Sequence, residues 1–283
     1  MFVIIGIVVV FGSIVVGYTM HHGDMMILIQ VNEFIIIGGA AIGSMLIANP
    51  LSLTMGVFKG IIGTLKGSPI NKNSYLELLQ LLYELFQFAK REGLIALEPH
   101  IENPEASSIF SKYPSFFKNH HAVDFMCDTL KIVLSGGIPA QDLEELMDID
   151  IETLHTAELQ APTALNTVGD AFPGLGIVAA VLGVIITMGI IDQPPEIIGH
   201  SVAAALVGTF FGILMSYGLV GPLAKNMEHM VNAEGRYMNS IKSALLAFAK
   251  GTPAAVAVEY ARRSIAPEER PTFKETEEAT KKK

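Results

Sequence analysis

All 19 Lys and Arg residues lie in two stretches, Lys59 to Lys131 and Lys225 to Lys283, while four long apolar segments and their short connections contain none. Basic loops resist translocation, so this partition predicts a four-span membrane protein with both basic stretches in the cytoplasm. The chain should cross outward at residues 2–17, return at 34–50, cross outward again at 171–191 and return at 198–221, leaving both termini cytoplasmic. About 20 apolar residues are needed to cross a hydrocarbon core roughly 30 Å thick. The third segment, Ala171 to Ile191, and the fourth, Ile197 to Gly221, satisfy this without one Lys, Arg, Asp or Glu. The first is shorter, but it lacks the basic leader and small-x-small cleavage site of a secretory signal and reads as a retained span.

With 51% hydrophobic residues and 47 charged ones in the same chain, charge must be segregated into soluble portions. The net charge of −9 describes mainly those portions and argues against nucleic acid as a partner. The single cysteine, Cys127, can form no internal disulfide and reads as a small buried hydrophobe.

Residues Leu51 to Gly169 suffice for a cytoplasmic helical domain. Leu76, Leu79, Leu82, Tyr83, Phe86 and Ala89 follow a 3.6-residue period that predicts a helix over Ser74 to Arg91, stopped by Gly93. Glu77, Glu84 and Arg91 should form a charged stripe on its opposite side. Further helices are expected at 104–112, 120–135 and 139–157, and strand-like alternation is nearly absent, so the fold class is all-α. Beyond the fourth span a helix should continue over 223–248 past Pro222, with another at 254–265. From Pro267 the Pro, Glu, Thr and Lys composition predicts a disordered tail. The implied domains are 1–50, a first membrane pair; 51–169, the cytoplasmic domain; 170–222, a second membrane pair; and 223–283, a helical extension and tail.

Within the spans, Gly39 and Gly43, Gly176 and Ala180, Ala179 and Gly183, and the series Ala204, Gly208 and Gly212 predict close helix contacts, within or between subunits. The spans offer no interior acid, His or Lys: Asp170 and Glu33 fall at span ends, and His200 lies near the outer start of the fourth span. If ions cross here, the carboxylate that carries them must come from another chain. Thr209 and Ser216, seven apart, could line such a path or bond their own backbone. Asp170, Pro173, Ile177, Ala180 and Val184 share one helix face, with Pro173 in the expected first turn and Pro222 at the exit of the fourth span, marking either a hinge or a plain boundary. The spans hold no His/Glu metal spacing, and His200 and Ser201 are adjacent near the surface rather than opposed across a buried site, so no enzyme and no cofactor are expected.

The runs "VGDAFPGLGIVAAVLGV", "ALVGTFFGILMSYGLVGPLA", "REGLIALEPHIENP" and "AVEYARRSIAPEERPTF" together resemble the MotA family, the A subunits of the bacterial flagellar stator, in order and spacing over almost the whole chain. The resemblance implies that Pro173 and Pro222 couple ion binding to conformational change, that Thr209 sits beside a partner's ion-carrying aspartate, and that Asp170 stands at the mouth of the path. It implies that Glu98 and a basic residue, Lys90 or Arg91, meet the rotor protein FliG. It also implies a pentamer of A subunits around two MotB-like B subunits that anchor to peptidoglycan, in the lipid of the bacterial inner membrane. Ala180 stands where sodium-driven relatives carry Thr, which points to protons as the transported ion. An ExbB- or TolQ-like energiser subunit is the alternative; the extra first span and "KREGLIALE" speak against it.

Overall fold

The computed structural model describes residues 2–281. Helix α1 (Phe2–Met20) is followed by the short α2 (Met25–Leu28), α3 (Val31–Ala48), α4 (Leu51–Lys66) and α5 (Lys72–Glu92). After these come α6 (Glu98–Glu102), α7 (Pro114–Phe117), α8 (His120–Ser135), the long α9 (Ala140–Met188) and α10 (Pro195–Ile213). A π-helical stretch, Leu214–Val220, joins α10 to α11 (Gly221–Ala249), and α12 (Ala254–Ser264) and α13 (Phe273–Lys281) complete the chain. No strand occurs among the described residues, as the all-α reading expects. Among the described residues, four stretches are long and apolar enough to span a membrane: Phe2–Met20, Met25–Ala48, and parts of the helical runs Ala140–Met188 and Pro195–Ala249.

The chain forms two compact units: residues up to Gly67 with Glu158–Met230, and Ser68–Ala157 with the chain from Val231 onward. The boundaries therefore differ from those expected at residues 50, 169 and 222. Helix α4, not anticipated from the sequence, belongs with the spans: its Val57 shares a buried core with Ile37, Ala41, Met45, Ala164, Leu165, Phe172, Val220 and Met227. That core also explains why α9 does not stop at 157. Burial of Ala164, Leu165 and Phe172 along one face carries the helix through two internal prolines, Pro162 and Pro173, each of which removes a backbone bond. Pro173 thus lies deep within a helix, not in a first turn.

The second unit is built on α5, whose amide ends are capped by Asn71 and whose C-terminus is closed by Gly93 at φ 94°, a left-handed conformation that favours glycine. Its Leu78, Leu82, Leu85 and Phe86 are fully buried against α8 residues such as Phe125 and Met126 and against Tyr237, Ile241 and Leu245 of α11. The expected charged stripe lies off the buried face, and two of its members are bonded to residues distant in the chain. Glu77 accepts hydrogen bonds from the Ser115 and Phe116 amides, at 2.7 and 3.1 Å, and Glu84 accepts one from the Tyr113 hydroxyl at 2.7 Å and pairs with Lys112. These acids tie down a loop that folds over that face, where the start of α7 leaves amides in need of acceptors. Residues 104–112 form no continuous helix: two 3₁₀ turns, Pro104–Ala106 and Phe110–Lys112, interrupt a loop.

Cys127 is buried, and burial pushes its thiol up to about 12, so it packs as the inert small hydrophobe expected. The tail departs from expectation. Instead of disorder from Pro267, the described residues form α13, which docks on α5 through Lys72–Glu275 at 2.8 Å and a bond from the Gln80 amide to the Ala279 carbonyl at 3.1 Å. The last two lysines of the expected tail lie outside the described residues.

Upstream of the tail, Glu259 is held in a fork by Arg262, with contacts of 2.7 and 2.8 Å, and by Arg263 at 2.7 Å, while Arg262 also donates to the Pro271 carbonyl at 3.0 Å. The Arg262 bond, more than Arg263, lowers the Glu259 carboxyl to about 2. A depressed folded-state value means that this contribution is complete above the unfolded carboxylate range, near 4.3, and is lost as pH falls toward 2. We expect Glu259→Gln to destabilise the detergent-solubilised chain at pH 7 by roughly 1–2 kcal/mol after solvent screening. Thermal melts of the variant should also lose less stability than wild type between about pH 5 and pH 2; equal acid slopes would refute this assignment.

Candidate functional site: a proline-flanked helix crossing

The third and fourth spans meet through bare backbone. A methyl placed on Gly176 would lie 2.7 Å from the Gly208 carbonyl oxygen and 3.1 Å from Gly212 Cα. One on Gly212 would lie 2.5 Å from the Phe172 carbonyl oxygen and 2.9 Å from Gly176 Cα, and one on Gly183 would lie 2.6 Å from Ala205 Cβ. The small residues at these positions let α9 and α10 approach closely enough for dense packing, the main source of helix association in lipid. The sequence pattern anticipated this contact face. Gly39 and Gly43 are different: among the described residues, a methyl on either meets nothing within 4 Å, so neither sits at a tight helix contact.

The prolines flank this crossing. Pro173 has no amide to offer the Gly169 carbonyl, and Gly169 itself packs against the far helix, where an added methyl would lie 3.2 Å from Val220 Cγ1 and 3.5 Å from the Gly221 amide nitrogen. Val220 closes the π-helical stretch, where the Gly221 amide bonds five residues back to Ser216, directly before Pro222. The irregular turns of the two helices therefore face one another. Pro222 does not end the helix; the widened π turns absorb it and α11 continues, the expected extension past the membrane.

Of the other expected path residues, Thr209 and Ala180 come together at the crossing: Thr209 Cα is 3.3 Å from a methyl placed on Gly176, and the Ala180 amide nitrogen is 3.3 Å from one on Gly208. Pro173 and Ala180 are half-buried, while Asp170, Ile177 and Val184 of the same face are exposed, Asp170 accepting a bond from Asn166 at 3.0 Å. Neither Thr209 nor Ser216 bonds a backbone carbonyl among the described residues, although Thr187 bonds Gly183 and Ser201 bonds Ile197 in that way. The back-bonding alternative therefore fails for this pair. In the other unit, Lys90 and Arg91 at the end of α5 and Glu98 at the start of α6 are all exposed, and none forms an ion pair among the described residues.

Sequence reading missed one component. Glu33 was expected at a span end, but the helical stretch long and apolar enough to span a membrane starts at Met25, breaks at Ile29 and Gln30, and includes Glu33. It is buried, 8% exposed, with Oε2 2.7 Å from a methyl placed on Gly208. The only available signal was the apolar run Met25 to Leu28 before it, which extends the span outward.

Comparison with known proteins follows the same outline. Residues 4–93 match the family model "Motility protein A N-terminal", and residues 118–240 match "MotA/TolQ/ExbB proton channel family". The chain is 38% identical over 279 residues to Motility protein A of Salmonella typhimurium and of Escherichia coli, covering 98% of this chain and 94% of each relative. It is 35% identical to the chemotaxis protein LafT of Vibrio parahaemolyticus, with 96% of each chain covered. Among solved structures, C. jejuni MotAB superposes with a TM-score of 0.79 at 21% identity, covering 96% of this chain and 98% of that one. The flagellar MotAB stator complex of Bacillus subtilis superposes at 0.73 and 24%, covering 90% and 92%. At those identities the superpositions show a shared fold. The near-full-length relatives show more: this chain, with its four helical stretches long and apolar enough to span a membrane, belongs to the motility protein A family.

Proposed function

We propose that this subunit converts proton motive force into torque by switching the α9–α10 crossing between two packings. The observation that carries this reading is the opposition of Pro173 and its unbonded Gly169 turn to the π-helical stretch before Pro222, across a contact made of bare backbone. A dense interface with irregular turns on both sides has few intermediate arrangements, so a small change in charge beside it can select one packing over another. The drive available is about 2.3 kcal/mol per elementary charge per 100 mV.

In this reading a MotB-like partner supplies the ion-carrying carboxylate next to Thr209 and anchors the complex to peptidoglycan, with five copies of this chain around two of the partner. Asp170 stands at the inner mouth of the path. Both termini and the α5-based unit lie in the cytoplasm, where Glu98 and Lys90 or Arg91 push charged groups of the rotor protein FliG; being exposed, these contacts weaken with salt. Ala180 offers no side-chain oxygen to replace the hydration shell of a sodium ion, which supports protons.

The test is the swimming speed of a stator-deleted flagellated cell supplied with this chain and its partner, with sodium varied at fixed proton motive force. Speed should be independent of sodium. A speed that rises with sodium would overturn the ion assignment, and failure to rotate despite correct membrane assembly would overturn the motor reading.

A further inference from the structure

A carboxylate inside a span is expensive and is retained for a purpose. Glu33 sits at such a place with a second peculiarity: its Oε2 is buried without any hydrogen-bond partner. It is held there by shape. Phe34, the next residue, packs edge-on against Phe211 of α10 with ring centroids 4.5 Å apart, which fixes the start of α3 on that helix. Gly208 then provides the only kind of backbone surface a carboxylate oxygen could approach so closely, with Ala179 Cβ 3.1 Å and the Ala180 amide nitrogen 3.3 Å from the same added-methyl position. A residue kept for packing alone would be apolar here, and one kept for a structural hydrogen bond would make it.

The charged groups on the elements packed around it are remote along their helices. On α10 they are Glu196 and His200, respectively twelve and eight residues before Gly208, roughly 18 and 12 Å away at the helical rise. On the membrane part of α9 the nearest is Asp170, nine residues before Ala179, roughly 14 Å away. α2 has one at its N-cap, Asp24, nine residues before Glu33 and bonded to the Met26 amide, with His21 and His22 just ahead of it, and the rest of α3 carries none. None of these groups pairs with Glu33 among the described residues.

We propose that Glu33 is a proton-carrying carboxylate of this chain's own, seated on Gly208, which hands protons from the outer aqueous face to the path beside Ala180 and Thr209. The inference rests on the motor reading above. The proton comes from water at the outer face and adds to Oε2, turning the carboxylate into a neutral carboxyl. It then leaves to the partner's carboxylate and restores the Glu33 anion, with no electron transfer.

The experiment uses the full chain with its partner in stator-deleted cells and measures bead rotation near zero load as external pH is varied. Membrane levels are followed in parallel. Glu33→Gln keeps the shape and loses the titrating proton; it should assemble, slow by about tenfold or more, and lose its response to external pH. Glu33→Asp, which withdraws the carboxyl from Gly208, should recover part of the speed and regain a pH response with a shifted midpoint. Wild-type speed and pH response in Glu33→Gln, or equal slowing of both variants with an unchanged pH response, would overturn the proposal. If Glu33→Gln does not assemble, Glu33→Asp decides: a shifted midpoint supports proton carriage and an unshifted one refutes it. A wild-type chain that cannot rotate the motor would instead sink the motor reading, so the two failures are distinguishable.

Discussion

Gly212→Ala will deplete the protein from the membrane and destabilise what remains by about 1–3 kcal/mol, with Gly212→Val worse. The reason is what the new methyl meets: the Phe172 carbonyl oxygen at 2.5 Å and Gly176 Cα at 2.9 Å, both backbone of a helix clamped by its own core. Neither can rotate away, so α9 and α10 must separate, and in lipid no hydrophobic gain compensates for the lost packing. Gly60→Ala supplies the contrast. Its methyl would fall even closer to a neighbour, 2.2 Å from Met227 Cε, but that atom ends a flexible side chain that can swing aside. Immunoblots of membranes and thermal denaturation in detergent should therefore rank Gly60→Ala near wild type and Gly212→Ala far below it. Equal behaviour of the two would mean that the crossing is not the tight element described.

Pro173→Ala should do the opposite to stability and abolish rotation. An alanine at this interior position restores an amide able to bond the Gly169 carbonyl, and Pro is about 3 kcal/mol worse than Ala in a helix interior. The variant should reach the membrane at wild-type level and melt at the same temperature or higher. A motor that works by repacking against the Val220–Gly221 turn should nevertheless lose torque, because the straightened α9 removes one of two alternative packings. Bead rotation at high load should fall to near zero. Normal speed would reduce Pro173 to a boundary residue, and loss of the protein from the membrane would make its role structural.

Much of this architecture was legible in the chain because the relevant physics is local. Hydrophobic length and the segregation of Lys and Arg depend on residues adjacent in sequence, and they gave the four spans. The helices at 120–135 and 254–265 appeared within a residue of expectation because their periodicity is clear and their ends are marked, by Asn119 and Gly136 for α8 and by Pro253 for α12. Small residues every fourth position announced the contact faces of α9 and α10, though not which stripes would be used: Gly39 and Gly43 follow the same spacing, yet a methyl on either meets nothing within 4 Å among the described residues.

What failed were statements about partners distant in sequence. Glu77 and Glu84 read only as members of a charged stripe, and the sequence did not show that a loop some 30 residues later brings them amides and a tyrosine hydroxyl. The Glu- and Lys-rich tail looks disordered until Lys72 and Gln80 of α5 receive it. Glu33 looks like an interfacial acid until the Met25–Leu28 turn extends the span and Gly208 accepts its oxygen. By itself, the sequence determined which segments enter the membrane, where charge is forbidden and which residue types can pack closely, since each is a property of a short stretch against its solvent. Only the tertiary structure decided that Val231 onward completes the core of residues 68–157, that α9 passes through two prolines unbroken, and that one carboxylate is buried at the crossing. Those outcomes are set by burial against remote chain, which outweighs local preference wherever a core is there to supply it.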